Sequence, residues 1–92
     1  MKLSFDPAKR ARNIQERGLD FNLVSELDWT NAWIDEDIRQ DYGERRFRVL
    51  GCIGERLYAF VFRPRADKLH IISLRKANAR EVKLWQNDRL LN

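Results

Sequence analysis

Polar and apolar positions alternate most regularly in the second half of the chain. "RRFRVLGCI" (45–53), "RLYAFVFR" (56–63) and "LHIISLR" (69–75) are rich in β-branched and aromatic residues. That is the make-up of half-buried strands. Only "GE" and "PRAD" separate them, and turns this short imply antiparallel neighbours. In the first run Phe47 and Val49 point one way, and Arg46, Arg48 and Leu50 the other. In the last, alternation puts Leu69, Ile71, Ser73 and Arg75 on one face, and His70, Ile72 and Leu74 on the other. Isoleucine on both faces predicts a strand in the middle of the sheet.

Helical signals flank this block. "DP" reads as a helix start, with Asp6 as N-cap and Pro7 in the first position, and Gly18 as the stop. Ala8, Ala11 and Ile14 recur at helical spacing, while Lys9, Asn13 and Glu16 line another face. "LDFNLVSELDW" predicts a second, shorter helix capped by Asp20, with Leu23, Val24 and Leu27 apolar. "KLSF" and "NAWID" are short strand candidates, and "EDIRQDYGE" is a polar connection. A last helix begins at Asn78, with Val82 and Trp85 turned inward and Leu84 beside them. Helices and strands are segregated, which makes the class α+β. The expected architecture is an antiparallel sheet of three to four strands, two N-terminal helices and one C-terminal helix, in a single domain spanning 1–92.

Composition narrows the partners. Three Trp, five Phe and two Tyr in 92 residues supply a core and argue against disorder. The lone Cys52 cannot form an internal disulfide. No run is long and apolar enough for a membrane span, and "MKLSFDPAKR" is not a signal peptide, so a cytoplasmic location is expected. The formal charge is +4, which permits an anionic partner without requiring one. Basic residues dominate the first seventeen positions and return after Glu44, whereas from Asp20 to Asp41 the only base is Arg39.

Several site chemistries drop out. One His and one Cys cannot build a standard zinc site, and there is no glycine-rich phosphate loop. No metal or cofactor is expected. What remains is a set of charges at element boundaries. Arg46 opens one strand, Arg75 closes another, and Arg80 lies in the first turn of the last helix. A guanidinium is a fixed, permanently charged fork that suits phosphate oxygens. Glu81 follows Asn78 by three residues, so "NARE" also fits a capping box. An ion pair with Glu81 accounts for Arg75 equally well, and packing within its strand accounts for His70.

Three motifs give these charges a common setting. "FDPAKRARNIQERGLDF", "YGERRFRVLG" and "IISLRKANARE", in that order, resemble the BrnT family of ribonuclease toxins from type II toxin–antitoxin pairs. The likeness runs from about Phe5 to Trp85. It matches the first motif at Asp6, Pro7, Lys9, Asn13, Gly18 and Phe21, and the middle motif at Glu44, Arg46, Phe47 and Gly51. The last motif matches at Ile71, Ile72, Ser73, Arg75, Ala77, Arg80 and Glu81. Arg17 stands where relatives often have His, and Ala79 and Val82 interrupt what is often a denser basic cluster.

The resemblance implies a compact RelE-like domain that cleaves RNA without metal. Its matched positions make Arg46, Arg75, Arg80 and Glu81 the expected catalytic residues and Lys9 and Asn13 expected RNA contacts; Arg17 and His70, which match no family position, are expected RNA contacts beside them. Glu81 would accept the 2′-hydroxyl proton, and the arginines would stabilise the transition state. It also implies a BrnA-like ribbon-helix-helix antitoxin, operator DNA reached only through that antitoxin, and possible dimers within the complex. The departures at Arg17, Ala79 and Val82 keep open a non-catalytic toxin that acts as a regulatory partner. A purely structural interaction domain, anchored by an exposed Trp, is the third reading, and Trp29, Trp33 and "NDRLLN" are candidates for the antitoxin-binding surface.

Overall fold

Local chemistry sets the first helix. In the computed structural model, which describes residues 2–91 and side chains as far as Arg89, α1 spans Pro7–Arg17. Asp6 caps it, its Oδ1 accepting from the Ala8 N–H at 2.9 Å. Gly18, at φ 69°, ends it and donates to the Ile14 carbonyl at 2.8 Å. Yet the face turned inward is not Ala8, Ala11 and Ile14. Ala8 and Ala11 are exposed and Ile14 is 38% exposed, whereas Asn13 is buried. Its Nδ2 donates to the Leu19 carbonyl at 2.9 Å and the Leu74 carbonyl at 3.0 Å. A two-handed polar contact docks the helix in place of an apolar stripe.

The second expected helix is two 3-10 segments, Phe21–Glu26 and Trp29–Asn31. Asp20 does cap the first, accepting from the Asn22 N–H at 3.0 Å. The buried residues are Phe21, Val24 and Leu27. A spacing of three matches a helix of about three residues per turn, so the tighter coil stacks all of them on one side.

Five strands, not three or four, form one sheet: β1 (Lys2–Ser4), β2 (Trp33–Glu36), β3 (Phe47–Ile53), β4 (Arg56–Arg65) and β5 (Lys68–Lys76). Their order is β1-β5-β4-β3-β2. All pairs are antiparallel except β1 with β5. Both short candidates are strands because a neighbour completes their hydrogen bonds. β1 lies along Lys68–His70, the first part of β5, and β2 along Phe47–Leu50. The interior place of β5 agrees with its apolar composition.

A bulge corrects the expected alternation in β5. Val61 pairs with Ser73, but Phe62 pairs with Ile71, so Ile72 is extra. Beyond it the faces exchange. Leu74 joins Leu69 and Ile71 in the main core, while Ser73 and Arg75 share the face of His70.

The main core lies on one side, where Phe21, Val24 and Leu27 pack on Val49, Phe60, Ile71 and Leu74. Gly51 admits Leu27 so closely that an added Cβ would meet Leu27 Cδ1 at 2.8 Å. The other face is covered by α2 (Ala79–Leu91). Val82 and Trp85 lie over Leu50, Leu57 and Ala59, as the inward stripe predicts. Trp85 Nε1 also donates to the Asn31 carbonyl at 2.7 Å. This helix covers only part of its face, and the rest stays open. No helix among the described residues is long and apolar enough to cross a membrane.

Candidate active site

The open part of that face is a cavity of about 430 Å³. Leu50, Ala59, Val61 and Ser73 contribute its lining from the sheet, and Trp33 joins them from β2. Arg48 comes from β3, Arg39 from the connection after β2, Arg75 from the end of β5, and Arg80 and Glu81 from the first turn of α2. Four guanidinium groups thus line one concavity. The Glu81 carboxylate lies among them, and Arg48 and Arg39 are paired with Asp35 and Asp37, so the concavity is rich in guanidinium donors without carrying charge of one sign.

Each arginine is held differently. Arg75 is forked onto Glu81, with Nη1 to Oε1 at 2.7 Å and Nη2 to Oε2 at 2.8 Å. Glu81 Oε1 also accepts from the Asn78 N–H at 2.9 Å, and Asn78 Oδ1 accepts from the Glu81 N–H at 2.9 Å. The capping box is complete, so Glu81 serves helix and ion pair together. Arg75 holds the Glu81 carboxyl below the usual carboxylate range. Arg48 Nη2 reaches Asp35 at 2.9 Å, while its Nε is buried without a partner. Arg39 forks onto the buried carboxylate of Asp37. The Arg80 side chain makes no hydrogen bond or ion pair with another described residue, and it is exposed.

The residues singled out by sequence divide into three places. Arg75, Arg80 and Glu81 meet in the cavity. Lys9, Asn13 and Arg17 line a second groove of about 210 Å³, with Arg12 and Ile72, and Ser73 contributes to the lining of both. Asn13 has spent both amide hydrogens on backbone carbonyls, and Arg17 Nη1 lies 3.5 Å from the Leu74 carbonyl. Arg46 and His70 are elsewhere. Arg46 stacks on Tyr42 at 4.1 Å and pairs with Glu44 at 3.3 Å, so it braces the connection before β3 and does not line the cavity. His70 Nδ1 lies 2.9 Å from Ser4 Oγ across the β1–β5 pair. Burial pushes its pKa down, reinforced by Arg63 and Arg65.

Two cavity arginines escaped the sequence reading. Arg48 carried a usable signal, since alternation places it on the face of Leu50. Arg39 carried none, because the irregular connection that bears it has no period. The interface candidates also separate. Trp29 packs into the core, edge-on to Phe60 at 6.0 Å, while Trp33 lines the cavity. The end of "NDRLLN", from Leu90 on, lies outside the described side chains.

Among the described residues no group of three or more His, Cys, Asp or Glu is placed to hold a metal ion. No curated protein matches the chain. A family model does, over residues 5–81, and its description is ribonuclease toxin, BrnT, of type II toxin-antitoxin system.

Proposed function

The chain belongs to the BrnT family of ribonuclease toxins of type II toxin–antitoxin systems, and from that premise we propose that its arginine-lined cavity binds an RNA phosphate and cleaves the chain there without a metal. The observation that carries this reading is the convergence of Arg39, Arg48, Arg75 and Arg80 on one concavity. Attack of the 2′-hydroxyl on the adjacent phosphorus builds negative charge on the phosphoryl oxygens. Preset guanidinium donors stabilise that charge more than the ground state.

Glu81 is the proton acceptor in this reading. At rest Arg75 keeps it a weak base. A phosphate that draws the Arg75 fork away returns Glu81 to ordinary basicity as the substrate arrives. The 2′-hydroxyl proton passes to Glu81, the 2′-oxygen bonds to phosphorus, the P–O5′ bond breaks, and the departing 5′-oxygen takes a proton from water. The products are a 2′,3′-cyclic phosphate and a 5′-hydroxyl. Lys9 and Arg17 hold flanking phosphates in the second groove, which shares Ser73 with the cavity. Asn13 builds that groove, while Arg46 and His70 lie outside both concavities and take no direct part. A BrnA-like ribbon-helix-helix antitoxin, operator DNA bound through it, dimers within that complex, a cytoplasmic setting and a RelE-like fold belong to the same reading. They rest on the family.

The test is cleavage of end-labelled RNA by purified protein with excess chelator, beside growth on induction with and without the neighbouring antitoxin gene. Arg75→Ala should slow cleavage by about 10²–10³-fold, the usual cost of one transition-state donor. Wild-type rates in Arg75→Ala would remove Arg75 from the site.

One observation favours a second reading, a nucleic-acid-binding partner that does not cut. The cavity contains no histidine, and its carboxylate is engaged by Arg75. Salt-dependent RNA binding with no cleavage product would select that reading.

A further inference from the structure

The connection between β2 and β3 contains an expensive arrangement. The Asp37 side chain is only 2% exposed. Its Oδ1 accepts from Arg39 Nε at 2.8 Å and from the Arg39 N–H at 3.2 Å. Its Oδ2 accepts from Arg39 Nη2 at 2.8 Å and from the Tyr42 hydroxyl at 3.0 Å. The Asp37 N–H donates to the Arg46 carbonyl at 2.8 Å, which ties this point to the start of β3. These donors hold the Asp37 carboxyl well below the usual range, with Arg39 the main cause.

Stability accounts for part of this, since a carboxyl held below its usual range favours the fold above about pH 4. It does not account for the exposed cation that the carboxylate holds. Burying a carboxylate costs desolvation, and a pair whose cation stays exposed returns little. The Arg39 side chain is 62% exposed. It also stands near enough to Arg75 that its charge works against that of Arg75. Two cations are therefore kept in proximity, one locked by a buried anion. The lock uses the Nε–Nη2 edge, so Asp37 leaves Nη1 and the second Nη2 hydrogen unengaged. Arg39 lines the same cavity as Arg48, Arg75 and Arg80. A guanidinium fixed before the ligand arrives loses little freedom on binding it.

We propose that Arg39 is a phosphate-binding residue of this cavity and that Asp37 is its positioning residue. The inference rests on the cavity taking RNA, and it adds a contact that none of the three family-like motifs contains. The occupant of the Arg39 donors is a phosphate oxygen of the bound strand. Asp37 does not touch it and acts by holding the fork.

The experiment measures binding of a single-stranded oligonucleotide, with 2′-deoxy sugar at the cleavage position, across a salt series. Each neutralised phosphate on a single strand contributes about 0.7 to the slope of log affinity against log salt. Arg39→Gln should lower the slope by about 0.7 and weaken binding severalfold. Arg39→Lys should keep the slope and lose part of the affinity. Asp37→Asn keeps the Arg39 charge, so it should also keep the slope while lowering kcat for RNA more than it raises KM.

A slope unchanged in Arg39→Gln overturns the contact. Wild-type kcat in folded Asp37→Asn overturns the positioning role. If Asp37→Asn does not fold, a low kcat in Arg39→Lys with the slope kept supports that role, and a wild-type kcat there overturns it. Failure is separable from that of the parent reading. Wild-type protein that neither binds nor cuts RNA removes both, whereas impaired Arg75→Ala beside normal Arg39→Gln removes this inference alone.

Discussion

Replacing Asn13 by alanine should unsettle the fold more than RNA contact. The side chain gives both amide hydrogens to backbone oxygens, at 2.9 Å to Leu19 and 3.0 Å to Leu74. The Leu74 carbonyl lies on β5 beyond the reach of β1, whose pairing stops at His70. Asn13 thus stands in for a missing strand neighbour. Each net hydrogen bond is worth about 1 kcal/mol, and a buried carbonyl left without a partner costs about 1–3 kcal/mol. Arg17 Nη1, 3.5 Å from the Leu74 carbonyl, offers that oxygen only a weak substitute. Together these give a loss of about 2–4 kcal/mol. For a domain of this size each kcal/mol moves Tm by about 4–8 °C, so Tm should fall by at least about 8 °C. Thermal unfolding followed by circular dichroism measures this. Oligonucleotide affinity, taken well below the variant's Tm, should stay within about threefold of wild type, a difference of under 1 kcal/mol. An unchanged Tm with a large loss of affinity would refute the reasoning and make Asn13 an RNA contact.

Glu81→Gln preserves the capping box, because glutamine suits that position as well. It should cut RNA cleavage by about 10²-fold or more while the 2′-deoxy oligonucleotide binds at least as tightly, since an internal competitor for Arg75 has lost its charge. Full cleavage activity would exclude Glu81 as proton acceptor. Asp20 supplies a pH prediction. Arg10 grips it through Nε at 2.9 Å and Nη2 at 2.7 Å, which lowers its pKa to about 2. A folded pKa below the unfolded one adds stability above about pH 4 that is lost as pH falls toward 2. Asp20→Asn, which keeps an N-cap side chain, should flatten the acid limb of Tm against pH in that window. The pair is part-exposed, so the effect is small. An unchanged acid limb would count against the pair as its source.

Some of this molecule follows from its sequence alone. Asp6, Pro7 and Gly18 bound α1, and Asn78 with Glu81 caps α2, because caps are contacts between near neighbours in the chain. The three long strands are legible for a similar reason, since alternation and two short turns specify antiparallel partners. Family membership is legible in three motifs. The placing of Arg75, Arg80 and Glu81 together is half legible: Arg75 and Glu81 are six residues apart on one strand–turn–helix unit.

Tertiary structure decided the rest. Whether Ser73 and Arg75 share a face with His70 depends on one extra residue at Ile72, which alternation cannot register. Which face of α1 turns inward depends on two carbonyls far from any helical period, one of them 61 residues away at Leu74. Arg39 reaches the cavity because a buried aspartate in an irregular connection holds it there. Periodic patterns report the burial of one element against one layer. They carry no record of polar groups satisfied across the fold, and it is those groups that placed the outlying residues of this site.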